Sequence, residues 1–470
     1  MEFISDINRR TLLGGAAATA FSACAPAAIP AKDADILVIG AGLSGLNAAR
    51  ILAREGLHVL VIEASDRPGG RILTLDGLPG RPEAGGAQIG RSYARIHAEA
   101  ADLGLKIVDP PRTSRDRALV LGDTLISQEE WALHPANPFE GPLAGAAPDS
   151  ALFRLAAPNN PLQDVYAWRE DAAQAYDVSA ADFLRKQGLG DEALRVIDIA
   201  LNATALDTYS MLNLYRTLTL FAQDSANGPP QALEGGAQRL PEAMAASLGD
   251  RVRYRSALRF LNVSDTGVEA TTDQGELRAD FAILALPFPA LNRIQMNAPI
   301  EDTQSDAIAG LPYTPITQIH MTPKTRYWET DGAPAAMWTD GPLERVFAMP
   351  DRESGETVAL NAWINGTGSE AASLLDDSAL SDLARLEMRR LRNVDVDVTR
   401  IIRWDAANAL SGGAYMHWAP GQISRWAGKM GRPAGRLYFA GEHLSHIHTG
   451  MEAAMETGER AAIGILEAVA

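Results

Sequence analysis

The stretch that decides the fold reads Asp35-Ile-Leu-Val-Ile39, followed directly by Gly40-Ala-Gly42-Leu-Ser-Gly45. The apolar run is typical of a parallel strand buried on both faces, and residues 46–54 after the glycines are typical of a helix. A second apolar run, residues 58–62, ends at Glu63. A strand, a glycine turn, a helix, a strand and an acid in this order form the context that a dinucleotide-binding fingerprint requires.

Each residue of this fingerprint has a physical role. Gly40 permits the tight turn, Gly42 lets the backbone approach a pyrophosphate, and Gly45 lets the helix pack against the strand. The first amides of the helix have no partners within the helix, so they favour an anion. Glu63 is placed to accept hydrogen bonds from ribose hydroxyls and would repel a 2′-phosphate. The same predicted site includes Leu43, Ser44 and Ala64.

Composition limits the class of protein. The 470 residues leave room for about three units of ~150 residues, and 46% hydrophobic with 21% charged residues is an ordinary globular composition. A net charge of -17 repels phosphate backbones, so nucleic-acid binding is not expected. The single cysteine, Cys24, cannot form an internal disulfide, and the eight histidines show no paired metal-ligand spacing. No metal site is predicted.

Residues 1–31 are interpreted as an export signal. Arg9 and Arg10 precede an uncharged run rich in Ala and Gly, residues 12–31, which is typical of a twin-arginine signal peptide. The apolar part of this run is too short to favour a membrane-spanning anchor. Cleavage after an Ala-x-Ala site such as residues 25–27 and lipid attachment at Cys24 both stay open. We expect a periplasmic or exported protein that passes through the twin-arginine machinery.

Four later motifs carry a family resemblance. They are Gly69-Gly70-Arg71, Glu83-Ala-Gly85-Gly86, Glu234-Gly-Gly236 and the block Arg436-Leu-Tyr-Phe-Ala-Gly-Glu-His443. With the fingerprint, these motifs make the chain resemble the flavin-containing amine oxidase family, which holds monoamine oxidases, polyamine oxidases and L-amino-acid oxidases. The match covers the ends and the middle of the chain and is weakest between about 110 and 225.

The resemblance implies an α/β fold in which a Rossmann-like FAD-binding domain is interleaved with an α+β substrate-binding domain. Residues 33–105, 230–295 and 400–470 would form the first domain, and residues 106–229 and 296–399 the second. Beyond the fingerprint, the positions that the family pattern assigns to FAD are Gly70, Arg71, Gly86, Ala87, Gln88, Ile89, Leu258, Trp404, Gly441, Glu442, Gly450, Met451 and Ala454.

The family pattern also gives several of these positions a role. Arg71 would pair with the pyrophosphate, and Glu442 would accept from ribityl or ribose hydroxyls. The amides of a last helix that begins near Met451 would stabilise negative charge on the flavin. Ala414 stands where some monoamine oxidases carry a flavin-linking cysteine, so the FAD is expected to be noncovalent.

Among the residues that face the substrate in the family, this chain keeps the family residue type at one position and departs from it at others. Tyr415, after Gly412-Gly413-Ala414, takes the place of an aromatic residue that flanks the substrate. The second aromatic position falls on Gly450, which would open the pocket, with His448 as a substitute wall. The lysine that many relatives hold near flavin N5 falls on Thr317 or Gln318. The candidate catalytic residues are therefore Tyr415, Thr317, Gln318, His448 and Gly450.

The implied function is oxidation of an amine C–N bond to an imine that hydrolyses to a carbonyl compound. The electron acceptor would be O₂, with H₂O₂ formed, or a periplasmic electron carrier. Three alternatives stay open: an L-amino-acid oxidase, a desaturase or oxidase of a larger apolar substrate, and an exported flavin-binding protein without turnover. No arginine matches the carboxylate clamp of L-amino-acid oxidases, which favours amines over amino acids. A homodimer is also left open.

Overall fold

The computed structural model describes residues 32–110, 116–199 and 201–470. The predicted export signal, residues 1–31 with Cys24, lies outside the described residues. Within the described ranges no helix is both long and apolar enough to cross a membrane.

The described chain alternates strands and helices. The strands are β1 (Ala34–Ile39), β2 (Val59–Ile62), β3 (Ile107–Val108), β4 (Ala118–Leu121), β5 (Thr124–Ile126), β6 (Ala232–Leu233), β7 (Val252–Arg253), β8 (Leu258–Ser264), β9 (Gly267–Thr272), β10 (Gly275–Leu284), β11 (Gln295–Asn297), β12 (Ile316–Pro323), β13 (Met337–Thr339), β14 (Arg345–Pro350), β15 (Thr357–Asn365), β16 (Val396–Trp404) and β17 (Leu437–Phe439). The α-helices are α1 (Leu43–Arg54), α2 (Ala94–Asp102), α3 (Gln128–Trp131), α4 (Pro148–Ala156), α5 (Ala180–Lys186), α6 (Asp191–Ile199), α7 (Met211–Ser225), α8 (Arg239–Leu248), α9 (Phe288–Leu291), α10 (Asp302–Gly310), α11 (Tyr327–Thr330), α12 (Gly366–Ser373), α13 (Asp377–Arg392), α14 (Gln422–Trp426) and α15 (Gly450–Val469). Short 3-10 helices lie at Gly141–Leu143, Ala157–Asn159, Ala167–Arg169, Asp171–Tyr176, Leu206–Thr208, Gly249–Arg251 and Glu442–Leu444.

The first sheet contains the fingerprint. Its strands follow the order β11-β8-β9-β10-β1-β2-β7, and β17 also pairs with β10. β1 pairs in parallel with β2 and β10, and β10 pairs in parallel with β17. Side chains of α1 and α15 join β1 and β2 in one apolar cluster, which covers one face of the sheet. The predicted Rossmann-like half of the fold is confirmed.

The second sheet is mostly antiparallel, in the order β16-β12-β15-β14-β13-β4-β5. Apolar side chains on one face pack against α13. On the opposite face, buried residues such as Trp338 join a cluster with the helical segment around Tyr209. This sheet with its helices forms the α+β half, so the interleaved fold class is confirmed.

Two of the predicted domain boundaries differ from those that the strand pairing indicates. The boundary at residue 400 falls inside β16, which pairs with β12 from Ile316 to Pro323 and therefore belongs to the second sheet as far as Trp404. The boundary at residue 295 falls at the start of β11, whose three residues pair with β8 in the first sheet. These two domain boundaries depend on which strands pair with each other, and the spacing of motifs along the chain does not show which strands pair.

The two ends of the described chain meet at α1 and α15. A Cβ placed on Gly458 of α15 would overlap the carbonyl oxygen of Ser44 in the first turn of α1. A Cβ on Gly45 would overlap the carbonyl oxygen of Gly40 in the turn before α1. The absence of side chains at both positions lets α15 lie against α1 and lets α1 lie against its turn. The N-terminal ends of both helices consequently border the same cavity.

Candidate active site

A cavity of about 630 Å³ runs from the carboxyl ends of β1 and β2 to the edge of the second sheet. It lies at the carboxyl edge of the parallel strands, where open α/β sheets bind their ligands. The predicted site residues that line it are Gly40, Gly42, Leu43, Ser44, Glu63, Ala64, Gly70, Arg71, Gly86, Leu258, Trp404, Tyr415, Gly441, Glu442, Gly450, Met451 and Ala454.

One end of the cavity is formed by the glycine turn. A Cβ added at Gly42 would have no described atom within 4 Å, so the backbone there is open to a ligand. The side chain of Glu63 accepts hydrogen bonds from the amides of Ala41 and Ser65, at 2.8 Å each. These bonds hold the end of β2 against the turn. Neither α1 nor α15 has a side chain bonded to its first amides, so two helix N-termini are available to an anion.

Ser256 adds a polar group that sequence reasoning missed. Its hydroxyl lines the cavity, is buried, and has no hydrogen-bond partner among the described residues. Its amide donates to the carbonyl of Glu63 at 2.8 Å, which places the serine beside the carboxyl group predicted to bind ribose. A buried hydroxyl without a partner is costly and fits a ligand that carries its own polar groups. Nothing in the local sequence marks this serine.

Across the middle of the cavity lies the ion pair of Arg71 and Glu442, which are 3.0 Å apart. The guanidinium of Arg71 also donates to the carbonyl oxygen of Ala414 at 3.1 Å. The Glu442 carboxyl accepts from the amide of Met416 at 3.2 Å. Both predicted cofactor residues therefore hold the segment that flanks Tyr415 close to the glycine–glutamate motif.

The far end of the cavity rests on a hydrogen-bonded wall. The carbonyl of Ala84, two residues before Gly86, accepts from the indole of Trp404 at 2.7 Å and from the side-chain amide of Gln318 at 3.0 Å. The Gln318 oxygen in turn accepts from His320 at 3.1 Å and from Asn361 at 3.3 Å. Burial lowers the pKa of His320 to about 4, so this imidazole is neutral at pH 7. The wall carries no charge.

Thr317 and Gln318 project from opposite faces of β12. The hydroxyl of Thr317 lies 2.8 Å from that of Ser369 in α12, so it faces away from the cavity. Gln318 projects to the side on which Trp404 bonds Ala84. The assignment of Thr317 to the catalytic site is therefore wrong, because adjacent residues of a strand point to opposite faces. Gln318 is part of this wall but does not itself line the cavity.

The run predicted to lie along the flavin is shorter than expected. Of residues 86–89, Gly86 lines the cavity and Ala87, Gln88 and Ile89 do not. Ile89 is fully buried, and its backbone exchanges hydrogen bonds with Gln231, so its side chain belongs to the core. The assignment of Ile89 to the cofactor is corrected for this reason. Gln88 is exposed.

Of the predicted substrate-side residues, two border the cavity and one does not. Tyr415 borders the cavity, and burial raises the pKa of its phenol, which is neutral at pH 7. Gly450 also borders it, and a Cβ there would meet no described atom within 4 Å, so the second aromatic wall is open. His448 is bonded through its backbone to Ser445 and Arg216 and does not line the cavity. Its role as a substitute wall finds no support in this arrangement.

The fold and the cavity together define a dinucleotide-binding α/β protein with a substrate half. The sequence model of the family described as flavin containing amine oxidoreductase matches residues 43–466. The chain belongs to this family.

Similar proteins agree with that assignment. A flavin-containing amine oxidase of Danio rerio is 26% identical over 468 residues, covering 91% of this chain and 84% of that protein. An L-amino-acid oxidase of Siganus canaliculatus is 25% identical, covering 92% and 85%. The solved structure of cyclohexylamine oxidase from Brevibacterium oxydans superposes with a TM-score of 0.75 at 22% identity, covering 93% and 99%. The last match shows a shared fold.

FAD is the cofactor that the family uses, and this cavity fits it. The open backbone at Gly42 and the two helix N-termini suit a pyrophosphate. The unpartnered hydroxyl of Ser256 suits the polar groups of the nucleotide half. The uncharged wall behind Gly86 suits a neutral ring system.

Two glycine variants separate cofactor binding from folding. We expect Gly45→Ala to lower the free energy of unfolding of the apoprotein by about 1–3 kcal/mol, because the new Cβ overlaps the Gly40 carbonyl. We expect Gly42→Ala to leave that stability within about 0.5 kcal/mol and to weaken FAD binding at least tenfold, because the methyl group points into open cavity. Urea unfolding of apoprotein and fluorescence titration with FAD measure the two effects. Equal FAD affinity in Gly42→Ala and the unmodified chain would contradict the placement of the pyrophosphate.

Proposed function

We propose that the chain oxidises a neutral amine at the Tyr415 end of its cavity, using noncovalently bound FAD. The single observation that carries the proposal is the uncharged character of that end: a neutral phenol, an open glycine and a neutral Gln318–His320–Asn361 network. Relatives named for amine substrates, such as cyclohexylamine oxidase, support the choice of substrate class.

Bound FAD supplies the hydride acceptor, and the chain supplies orientation and a dry environment. Glu63 and Glu442 are the carboxyl groups among the described lining residues, and both already accept hydrogen bonds from protein groups: Glu63 from the amide of Ala41, and Glu442 from Arg71 and the amide of Met416. No carboxyl group of the described lining is thus free to act as a base beside Tyr415. The amine must arrive neutral and present its α-C–H bond, with the Tyr415 ring holding it and excluding water.

Two features extend this proposal. Ala414 lines the cavity at the position of a flavin-linking cysteine, and an alanine cannot form that bond, which supports noncovalent FAD. The space beside Gly450 supports a branched or bulky amine, because a second aromatic ring would otherwise occupy it.

The proposed function predicts that amines reduce the bound flavin. Holoenzyme mixed anaerobically with a panel of primary, secondary and cyclic amines should lose its flavin absorbance near 450 nm with at least one of them. Tyr415→Ala should bind FAD normally and slow this bleaching, because the aromatic wall is removed. Holoenzyme that dithionite bleaches but that no amine of the panel bleaches would contradict the proposal.

The uncharged wall also predicts how the reduced enzyme reacts with its electron acceptor. The family often places a lysine near flavin N5, and Gln318 takes that position without a charge. A positive charge there would stabilise developing superoxide, so its absence predicts slow reaction of the reduced enzyme with O₂. Stopped-flow mixing of dithionite-reduced enzyme with air-saturated buffer tests this. Absorbance recovery slower than turnover with an artificial dye is expected, and recovery faster than turnover would show that O₂ suffices.

We further propose that the protein is exported through the twin-arginine pathway, which transports folded, cofactor-loaded proteins. Arg9 and Arg10 carry this proposal. Replacing both with lysine should leave active, FAD-loaded protein in the cytoplasm of the host. Equal periplasmic yield of the unmodified chain and the double variant would contradict the proposal. The double variant should bind FAD as tightly as the unmodified chain, since both residues precede the described domain.

A further inference from the structure

We propose that the hydroxyl of Ser256 binds the adenosine half of FAD, so that this side chain contributes to the affinity for the dinucleotide and not to the stability of the fold. The inference concerns the cofactor alone, and it holds whatever substrate the enzyme oxidises.

Backbone hydrogen bonds fix Ser256 at the carboxyl end of β2. β2 pairs with β7 as far as Ile62 and Arg253. The chain then turns at Arg255, whose φ of 55° is a left-handed conformation that is unusual outside glycine. The amide of Ser256 donates to the carbonyl oxygen of Glu63 at 2.8 Å. Ser256 therefore lies beside Glu63, and both residues line the cavity.

The hydroxyl of Ser256 is buried without a partner. The residue is 1% exposed, and no group of the described chain forms a hydrogen bond with its Oγ. A buried hydroxyl that is left unpaired costs free energy, so alanine would suit the empty protein better than serine at this position. A ligand with polar groups in the cavity would supply the missing partner.

The other polar side chains around the end of β2 are already engaged by the protein. The hydroxyl of Ser65 donates to the carboxylate of Glu63 at 2.8 Å. The guanidinium of Arg67 donates to backbone carbonyl oxygens of its own turn. Arg259 is paired with Asp273 at 2.6 Å. Among the described residues that line this end of the cavity, Ser256 thus offers the hydroxyl that is left for a ligand.

Glu63 cannot satisfy an adenosine by itself. An acid at the end of the second strand binds ribose in dinucleotide-binding folds, so this end of the cavity would receive the adenosine. A carboxylate has about four acceptor sites, and the amides of Ala41 and Ser65 and the Ser65 hydroxyl already donate to that of Glu63. Adenosine carries two ribose hydroxyls and a purine whose ring nitrogens need donors. Ser256 can both donate and accept, which a carboxylate cannot do.

ADP carries the adenosine half without the flavin and is therefore the probe for this site. We expect Ser256→Ala to weaken the binding of FAD, and the competition of ADP against FAD, about 3- to 10-fold each, the loss of one neutral hydrogen bond. Flavin fluorescence during reloading of the full chain measures both affinities. Ser411→Ala is the matched control, because Ser411 also lines the cavity with a buried, unpartnered hydroxyl but lies in the segment between β16 and Tyr415. It should leave the ADP affinity within about twofold of the unmodified chain.

The stability of the apoprotein gives a second readout, with a sign that separates the two roles. Because no described group bonds the hydroxyl, Ser256→Ala should unfold at the same or a higher urea concentration than the unmodified chain. A serine that holds the fold together would give lower stability. Lower apoprotein stability of Ser256→Ala, an ADP affinity that does not fall, or equal losses of ADP affinity in both serine variants would overturn the adenosine contact. Failure of every amine to reduce the flavin would leave this result untouched, since neither measurement involves an amine.

Discussion

The site depends on two places where the chain allows no side chain. A Cβ at Gly45 would overlap the Gly40 carbonyl, and a Cβ at Gly458 would overlap the Ser44 carbonyl. The first contact sets the turn that opens toward a pyrophosphate, and the second brings α15 against α1. Because α1 and α15 lie at opposite ends of the described residues, the cavity acquires its two helix N-termini only after the chain between them has folded.

The parts of the fold that can be predicted from sequence are those whose elements are neighbours along the chain. β1, the glycine turn, α1, β2 and Glu63 follow one another along the chain, so their pattern alone indicates their arrangement. The faces of the second sheet could not be derived in that way. Whether Thr317 or Gln318 faces the cavity depends on the register of β12 with two distant strands. Ser256 carries no local signal, because its interest comes from the hydrogen-bond partner that its buried hydroxyl lacks in the folded chain.

Charge is distributed unevenly along the cavity, and this distribution divides binding from chemistry. At the end of the cavity where we place the reacting amine the polar groups are neutral, since burial holds His320 of the wall and Tyr415 at the cavity border in their uncharged forms. The ion pair of Arg71 and Glu442 lies across the middle of the cavity.

The ion pair of Arg71 and Glu442 connects the two halves of the site. Both residues line the cofactor cavity, yet their remaining hydrogen bonds go to Ala414 and Met416, the residues on either side of Tyr415. A cofactor that engages Arg71 or Glu442 therefore acts directly on the backbone that positions the substrate-side ring. Leaving either partner alone would expose a half-buried charge, so the pair and the 414–416 segment are expected to respond together. The backbone that positions Tyr415 is therefore held by two residues of the cofactor site, Arg71 and Glu442, which lie far from it in the sequence.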